Sequence, residues 1–314
     1  MEKKKKEEVP KTRWGVLILV LGIILVISFF FISLMVSFFS SGGQPSSFGK
    51  GNVAVIHIDG EIVTEGGSIF SPSTASSLEI IQFIQQASKD DSIQAILFEI
   101  NSPGGSAVAS DEVVAAMKQV KKPTVSYIRE VGASGAYWIA SSTDHIFASR
   151  MSITGSVGVI SSYLAFGGFL NRYNITYERL VAGKYKDIGT PFRTLTDEEQ
   201  NILQQQLDDV HAMFLSDVKE NRHLSQAQVN EISTGIFFIG ARAKELGLID
   251  EIGGKDEAVA YLERQINTSV ELVEYKRESS LVDILTGVLS KASFQVGEGI
   301  GHSLKEEQPI TLYT

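Results

Sequence analysis

Ser134 sits in "VGASGAYWIA", between Gly132 and Gly135, where a strand-like stretch gives way to an apolar helical one. A tight turn would explain a small polar residue there. A nucleophile would explain it too, because a sharp strand-to-helix turn can carry a serine hydroxyl into a cleft. The motif departs from the G-x-S-x-G elbow, since Ala136 stands where the last glycine would be.

Such a serine needs a base. The histidines are His57, His145, His211, His223 and His302. His211 and His223 read as surface positions of a helical segment and His145 as a strand edge, so a Ser-His-Asp triad has no support in the spacing. A lysine can take the proton instead if its amine is neutral, which requires burial. "VAGKYKDIGTPFR" supplies Lys184 and Lys186 in a glycine- and proline-containing loop, away from any solvated helix face. Loop lysines are more often simply solvated, and the residues alone leave both candidates open.

"EINSPGGSAVASDEV" puts Gly104 and Gly105 directly after a strand and before a helix. Paired glycines leave backbone N–H groups uncovered near a helix N-terminus, where they can bind a phosphate or a developing oxyanion. No Gly-Lys-Ser/Thr follows, so this is not a Walker A loop. A simple strand-to-helix turn accounts for the same residues.

The elements that must position these residues alternate. "NVAVIHIDG" and "IQAILFEI" read as buried strands, "SDEVVAAMKQVKK" as a helix and "PTVSYI" as the next strand. That order argues for α/β units with largely parallel pairing. "RYNITYERLVAG" is expected to add another strand. A long helix is expected from Thr196, where "TDEE" is a capping box and Leu203, Leu207, Val210 and Phe214 make an apolar stripe. "GARAKELGLIDEIGGKDEAVAYLERQ" reads as helix, strand, turn, helix.

Ahead of this body lie 26 uncharged residues, Trp14–Phe39, almost all of them apolar. About 20 such residues span a bilayer. The expected organisation is a basic arm over 1–13, a transmembrane helix over 14–39, a linker over 40–51, a catalytic body over 52–275 and a C-terminal segment over 276–314. "SLMVSFFSSGG" is a poor cleavage site, so an anchor is favoured over a removed signal peptide. The arm carries a charge of +3, which orients it to the cytoplasm and the body to the outside.

The formal net charge is -9, which leaves a body too acidic to suggest nucleic-acid binding. There is no cysteine and no His-Glu-x-x-His, so thiolate and zinc chemistry have no ligands in view, and no cofactor is expected.

Taken in order, "NSPGG", "GASGAYWIAS", "ASRMSITGSVGVI", "GKYKDIGTPFR" and "AKELGLIDEIGG" resemble the SppA family of bacterial signal peptide peptidases, which are serine–lysine membrane proteases. The resemblance runs through roughly residues 53–265 and fits the short form of the family, with one transmembrane helix. It implies a Clp protease/crotonase-like spiral of β-β-α units. It implies that Ser134 is the nucleophile, Lys186 the general base and Ser156 the serine that orients the lysine amine, with Gly104 and Gly105 near the oxyanion hole. Lys184 matches no catalytic position. Where the family commonly has "SGGYY", this chain has Ala136 and Trp138, and the tryptophan is expected to alter a substrate pocket.

The resemblance further implies a homo-oligomeric ring or dome at the lipid bilayer, with serine and lysine contributed by neighbouring subunits. The expected substrates are signal peptides left in the membrane and other unfolded peptides. Two rival readings share the fold: a membrane serine protease that cleaves a stomatin-like partner, and a non-catalytic crotonase-fold membrane scaffold. Retention of Ser134, Ser156 and Lys186 together argues against the scaffold. A CoA-binding crotonase would have no obvious use for an anchor.

Overall fold

The computed structural model describes residues 19, 21–31, 46–48, 50–65 and 74–276. It divides into an N-terminal unit and a body. In the N-terminal unit residues 21–31 are helical, within the apolar segment, and their side chains are exposed. Among the described residues no helix is long and apolar enough to cross a membrane. Most of the expected 14–39 span, the 1–13 arm and the C-terminal segment beyond Lys276 lie outside the described residues.

The body opens with strands β1 (Ser46–Phe48), β2 (Val53–Asp59), β3 (Glu61–Val63) and β4 (Thr74–Ser76), then helix α1 (Ser77–Lys89). Next come β5 (Ala95–Ser102), α2 (Ala107–Met117), β6 (Thr124–Ala133), α3 (Gly135–Ser141), β7 (His145–Ala148) and β8 (Ile153–Gly155). The rest is α4 (Gly167–Arg172), α5 (Asp197–Asn221), α6 (Gln226–Ile232), β9 (Phe237–Ile239), α7 (Gly240–Glu245), β10 (Glu251–Ile252), α8 (Lys255–Ile266) and β11 (Leu272–Lys276).

The main sheet is mixed and runs β1-β11-β2-β5-β6-β7-β10, with β8 pairing both β6 and β9. Its centre is parallel, from β11 through β2, β5 and β6 to β7. β1–β11 and β8–β9 are antiparallel. Parallel strands covered on both faces read as near-continuous apolar runs, and β2 and β5 do so. Ala54, Ile56 and Ile58 face a core shared with α1, α2 and α3, while Val53 and Val55 pack toward Ala258 and Leu262 of α8. β3 and β4 form a separate parallel pair. This is a Clp protease-like α/β fold.

Two expectations differ from the structure. Ser46–Phe48, expected in the linker, are the strand β1 and pair with β11. The strand expected in "RYNITYERLVAG" is absent: residues 173–183 follow α4 with no ladder partner, and most are exposed. Isoleucine, tyrosine and threonine favour strands only where a pleated face is packed, and within this chain nothing covers these residues. The capping box at Thr196 is present. Its side chain accepts from the Glu199 N–H, and the Glu199 carboxylate accepts from the Thr196 N–H at 2.9 Å.

Candidate active site

β6 changes neighbours halfway along. Val125–Ile128 pair with β7, and Val131–Ala133 pair with β8. The last pair is Ala133 with Gly155. Ser134 and Ser156 therefore leave the ends of two adjacent parallel strands side by side. The Ser134 N–H donates to the Gly155 carbonyl at 2.8 Å, which ties the two turns together.

Both serines have a positive φ, 53° at Ser134 and 52° at Ser156. Ser134 also has ψ -127°, outside the left-handed helical well and in territory that favours glycine. Non-glycine residues persist in such conformations only where their surroundings force them, at a cost of about 1–3 kcal/mol each. Here the constraint comes from both sides. β8 fixes the strand before Ser134, and every residue of α3 after it is buried. The sequence lacks the last glycine of the elbow motif, yet the backbone makes an elbow. Ala136 is wholly buried without disturbing it.

The glycine loop packs directly beneath. A Cβ on Gly104, at φ +94°, would lie 2.8 Å from the Ala133 carbonyl, the Gly135 nitrogen and the Ser134 Cβ. Only glycine permits that approach. The Gly104 N–H is already engaged, donating to the buried Ser102 Oγ at 3.1 Å. The neighbouring Gly105 carries β3: Ile62 donates to the Gly104 carbonyl at 2.9 Å and accepts from Ser106 at 2.8 Å. Its own N–H has no partner among the described residues. Gly135, the first residue of α3, has no intrahelical acceptor for its N–H. Among the described residues, two uncommitted donors therefore flank Ser134, at Gly105 and Gly135.

Ser134, Gly105, Gly135 and Ser156 open on one cavity of about 710 Å³. Trp138, Leu207 and Phe214 supply its apolar wall. Trp138 stacks on Phe214 with ring centroids 4.7 Å apart, and its indole N–H donates to Asp217 at 3.1 Å. Such a pair adds about 0.5–1.5 kcal/mol beyond burial, so the wall is fixed. Trp138, of the "GAYW" departure, lines this cavity.

Sequence reasoning placed His211 on an outer helix surface. The structure turns it inward. Its ring lines the same cavity, and Nε2 lies 3.0 Å from the Val157 carbonyl, to which it donates. Gln204, Leu207, Asp208, His211 and Phe214 form one stripe of α5 along this cavity. The 3.6-residue period could have grouped His211 with Leu207 and Phe214. Among the described residues no cluster of three or more His, Asp or Glu could hold a metal ion.

The lysines lie elsewhere. Neither Lys184 nor Lys186 lines the Ser134 cavity, and both are exposed in the single chain. Lys184 is paired with Glu198 at 2.6 Å, which raises its pKa. The Lys186 amine has no partner among the described residues. The structure thus brings together Ser134, Ser156, Gly104 and Gly105 and leaves Lys186 apart from them within one protomer.

Comparison with known proteins shows the family. The model of peptidase family S49 matches residues 116–269, and that of Clp protease matches residues 60–168. A candidate protease of Methanocaldococcus jannaschii is 34% identical over 92% of this chain and 94% of its own length. A candidate signal peptide peptidase SppA of Enterococcus faecium is 29% identical over 73% of this chain and 68% of its own. The chloroplastic serine protease SPPA of Arabidopsis thaliana is 29% identical over 76% of this chain, which spans 37% of that longer protein. By these matches the chain belongs to peptidase family S49, a family of serine proteases.

Proposed function

We propose that this chain is a membrane-anchored endopeptidase in which Ser134 is the nucleophile, Lys186 the general base and Ser156 the group that orients the lysine. The observation that carries the reading is the strained Ser134 turn, flanked by Ser156 and by two uncommitted N–H donors. In the reaction the neutral lysine amine takes the proton from the Ser134 hydroxyl as Oγ attacks a peptide carbonyl. The Gly105 and Gly135 N–H groups receive the charge that develops on the carbonyl oxygen. The ammonium then protonates the leaving amine, and water releases the acyl group by the same path.

A lysine base must be covered from water to be neutral. Lys186 is exposed in the protomer, so the cover would come from a neighbouring subunit, in a site shared between two copies. The segment around it fits that role. Ile160, Leu164, Phe169, Tyr173 and Leu180 all project apolar surface into solvent. The apolar wall of the cavity suits an apolar side chain beside the scissile bond. The apolar 14–39 segment and the relative named as a signal peptide peptidase favour signal peptide remnants as substrates.

The test uses the full chain in detergent and a fluorogenic peptide with a small or apolar residue before the cleaved bond. Ser134→Ala and Lys186→Ala each lose at least about 10³-fold in kcat/KM, and Lys184→Ala stays within about two-fold, as expected for an exposed pair. Co-expressing Ser134→Ala with Lys186→Ala restores about a quarter of wild-type activity if each site draws on two neighbours in a closed ring. Full activity in Ser134→Ala would return that residue to a turn.

One observation favours a second reading, with His211 as the base, because its ring opens on the Ser134 cavity. Under it Lys186→Ala would remain active and His211→Gln would be inactive.

A further inference from the structure

The turn that carries Lys186 is held by charge on both sides. Asp187 accepts two hydrogen bonds of 2.6 Å from the Arg179 fork. It also accepts from Arg193, at 3.3 and 3.4 Å. Arg193 in turn donates to both oxygens of Glu199, at 2.6 and 2.7 Å. Glu199 completes the capping box of α5 with Thr196, and its side chain is only 4% exposed. On the other side, Tyr185 bonds to Glu198 of the same helix turn, and Arg179 reaches the Lys184 carbonyl at 3.0 Å. The backbone between them makes consecutive tight turns, from Gly183 to Lys186, Tyr185 to Ile188 and Asp187 to Thr190.

These contacts tie both neighbours of Lys186 to the first turn of α5. The later turns of the same helix carry Leu207, His211 and Phe214 into the Ser134 cavity. One helix therefore carries both the brace of the lysine turn and a wall of the Ser134 cavity of its own chain.

We infer that the Arg179–Asp187–Arg193–Glu199 cluster is a positioning device for Lys186, with Asp187 at its centre. The inference rests on the reading of Lys186 as the general base. Exposed ion pairs seldom matter energetically, but this one differs from them. Its guanidinium contacts are forked, and the Asp187 side chain is 13% exposed. The two arginines hold the Asp187 carboxyl well below the usual carboxylate range, Arg179 foremost. Lys186 itself makes no contact in the cluster. It is the residue left projecting when its neighbours are fixed.

The experiment compares Asp187→Asn, Arg179→Lys, Lys186→Ala and the double variant Lys186→Ala/Asp187→Asn in the full chain. It measures kcat and KM separately, with active sites counted by a serine-reactive fluorophosphonate and folding followed by thermal melting. Misplacing a reacting group by about 1 Å costs up to about 100-fold. Asp187→Asn is expected to lower kcat by between about 10- and 100-fold, with KM within about two-fold. The double variant should be no slower than Lys186→Ala alone, because there is then nothing left to position.

A kcat for Asp187→Asn within two-fold of wild type per titrated site, or a double variant slower than Lys186→Ala, overturns the inference. If Asp187→Asn does not fold, Arg179→Lys keeps the charge and loses the fork. Full kcat in that variant overturns the inference equally. Lys186→Ala that stays active removes the lysine reading and this inference with it. Lys186→Ala inactive beside a fully active Asp187→Asn removes the positioning role alone.

Discussion

The turn at Ser134 and the turn at Lys186 are built by opposite means. Ser134 is fixed by backbone: two paired strands end beside it, a buried helix begins after it, and a glycine loop fills the space below. Small residues make that site because only they let main chain approach main chain. The neighbours of Lys186 are fixed by side-chain charge, in a segment with no strand partner and much exposed apolar surface. On the proposed dyad, the serine half of the site is complete inside one chain, and the lysine half is braced from below and uncovered above, as expected if another surface completes it.

The largest test of the comparison is Ser134→Gly. Glycine adopts the Ser134 backbone conformation without strain. The variant should lose at least about 10³-fold in kcat/KM and yet gain about 1 kcal/mol in stability, read as a raised melting temperature. Lys186→Gly should lose activity without any such gain, since no positive φ is relieved there. A Ser134→Gly protein that melts below wild type would mean the turn is not strained.

Gly104→Ala against Gly189→Ala sharpens the contrast. Both glycines have positive φ, +94° and +82°. A Cβ on Gly104 meets three atoms at 2.8 Å, two of them backbone, whereas a Cβ on Gly189 meets nothing within 4 Å. Gly189→Ala should therefore cost only the conformational penalty, about 1–2 kcal/mol. Gly104→Ala should cost more and displace the Ser134 elbow, so fluorophosphonate labelling of Ser134 falls with it. Equal melting shifts and normal labelling in both variants would deny that main-chain packing builds the serine half.

Legibility in the sequence divides along the same line. The buried runs of β2 and β5, the Thr196 capping box and the small-residue motifs around Ser134 and Gly104 were readable, because each is a local pattern with a local cause. The choice between the two glycine N–H groups was not, since it turns on Ser102 claiming the Gly104 donor. His211 was misread for want of knowing which face of α5 meets the cavity. The strand expected over 172–183 failed because strand propensity without a packed face decides nothing. The Asp187 cluster was invisible: it joins residues 8 and 6 positions away from Asp187, on opposite sides of it, in irregular structure.

The smallest expected effect is an acid one, confined to the lysine half. Arg193, with the Thr196 N–H, lowers the Glu199 carboxyl pKa from an ordinary 4.5 to about 2. A carboxyl whose pKa is depressed by folding stabilises the fold fully above its unfolded pKa and loses that contribution as it is protonated. The brace should therefore weaken as pH falls from 4.5 toward 2, while the Ser134 turn, which contains no titrating group, persists. Pepsin cleavage mapped by mass spectrometry would read this directly. Cuts within residues 173–195 should appear at a higher pH than cuts within β6 or α3. Glu199→Gln, which removes the charge outright, should make the same segment susceptible to proteases at neutral pH. Simultaneous cleavage of both regions, or an unchanged pattern in Glu199→Gln, would mean that the two halves are held by one cooperative structure rather than by two different devices.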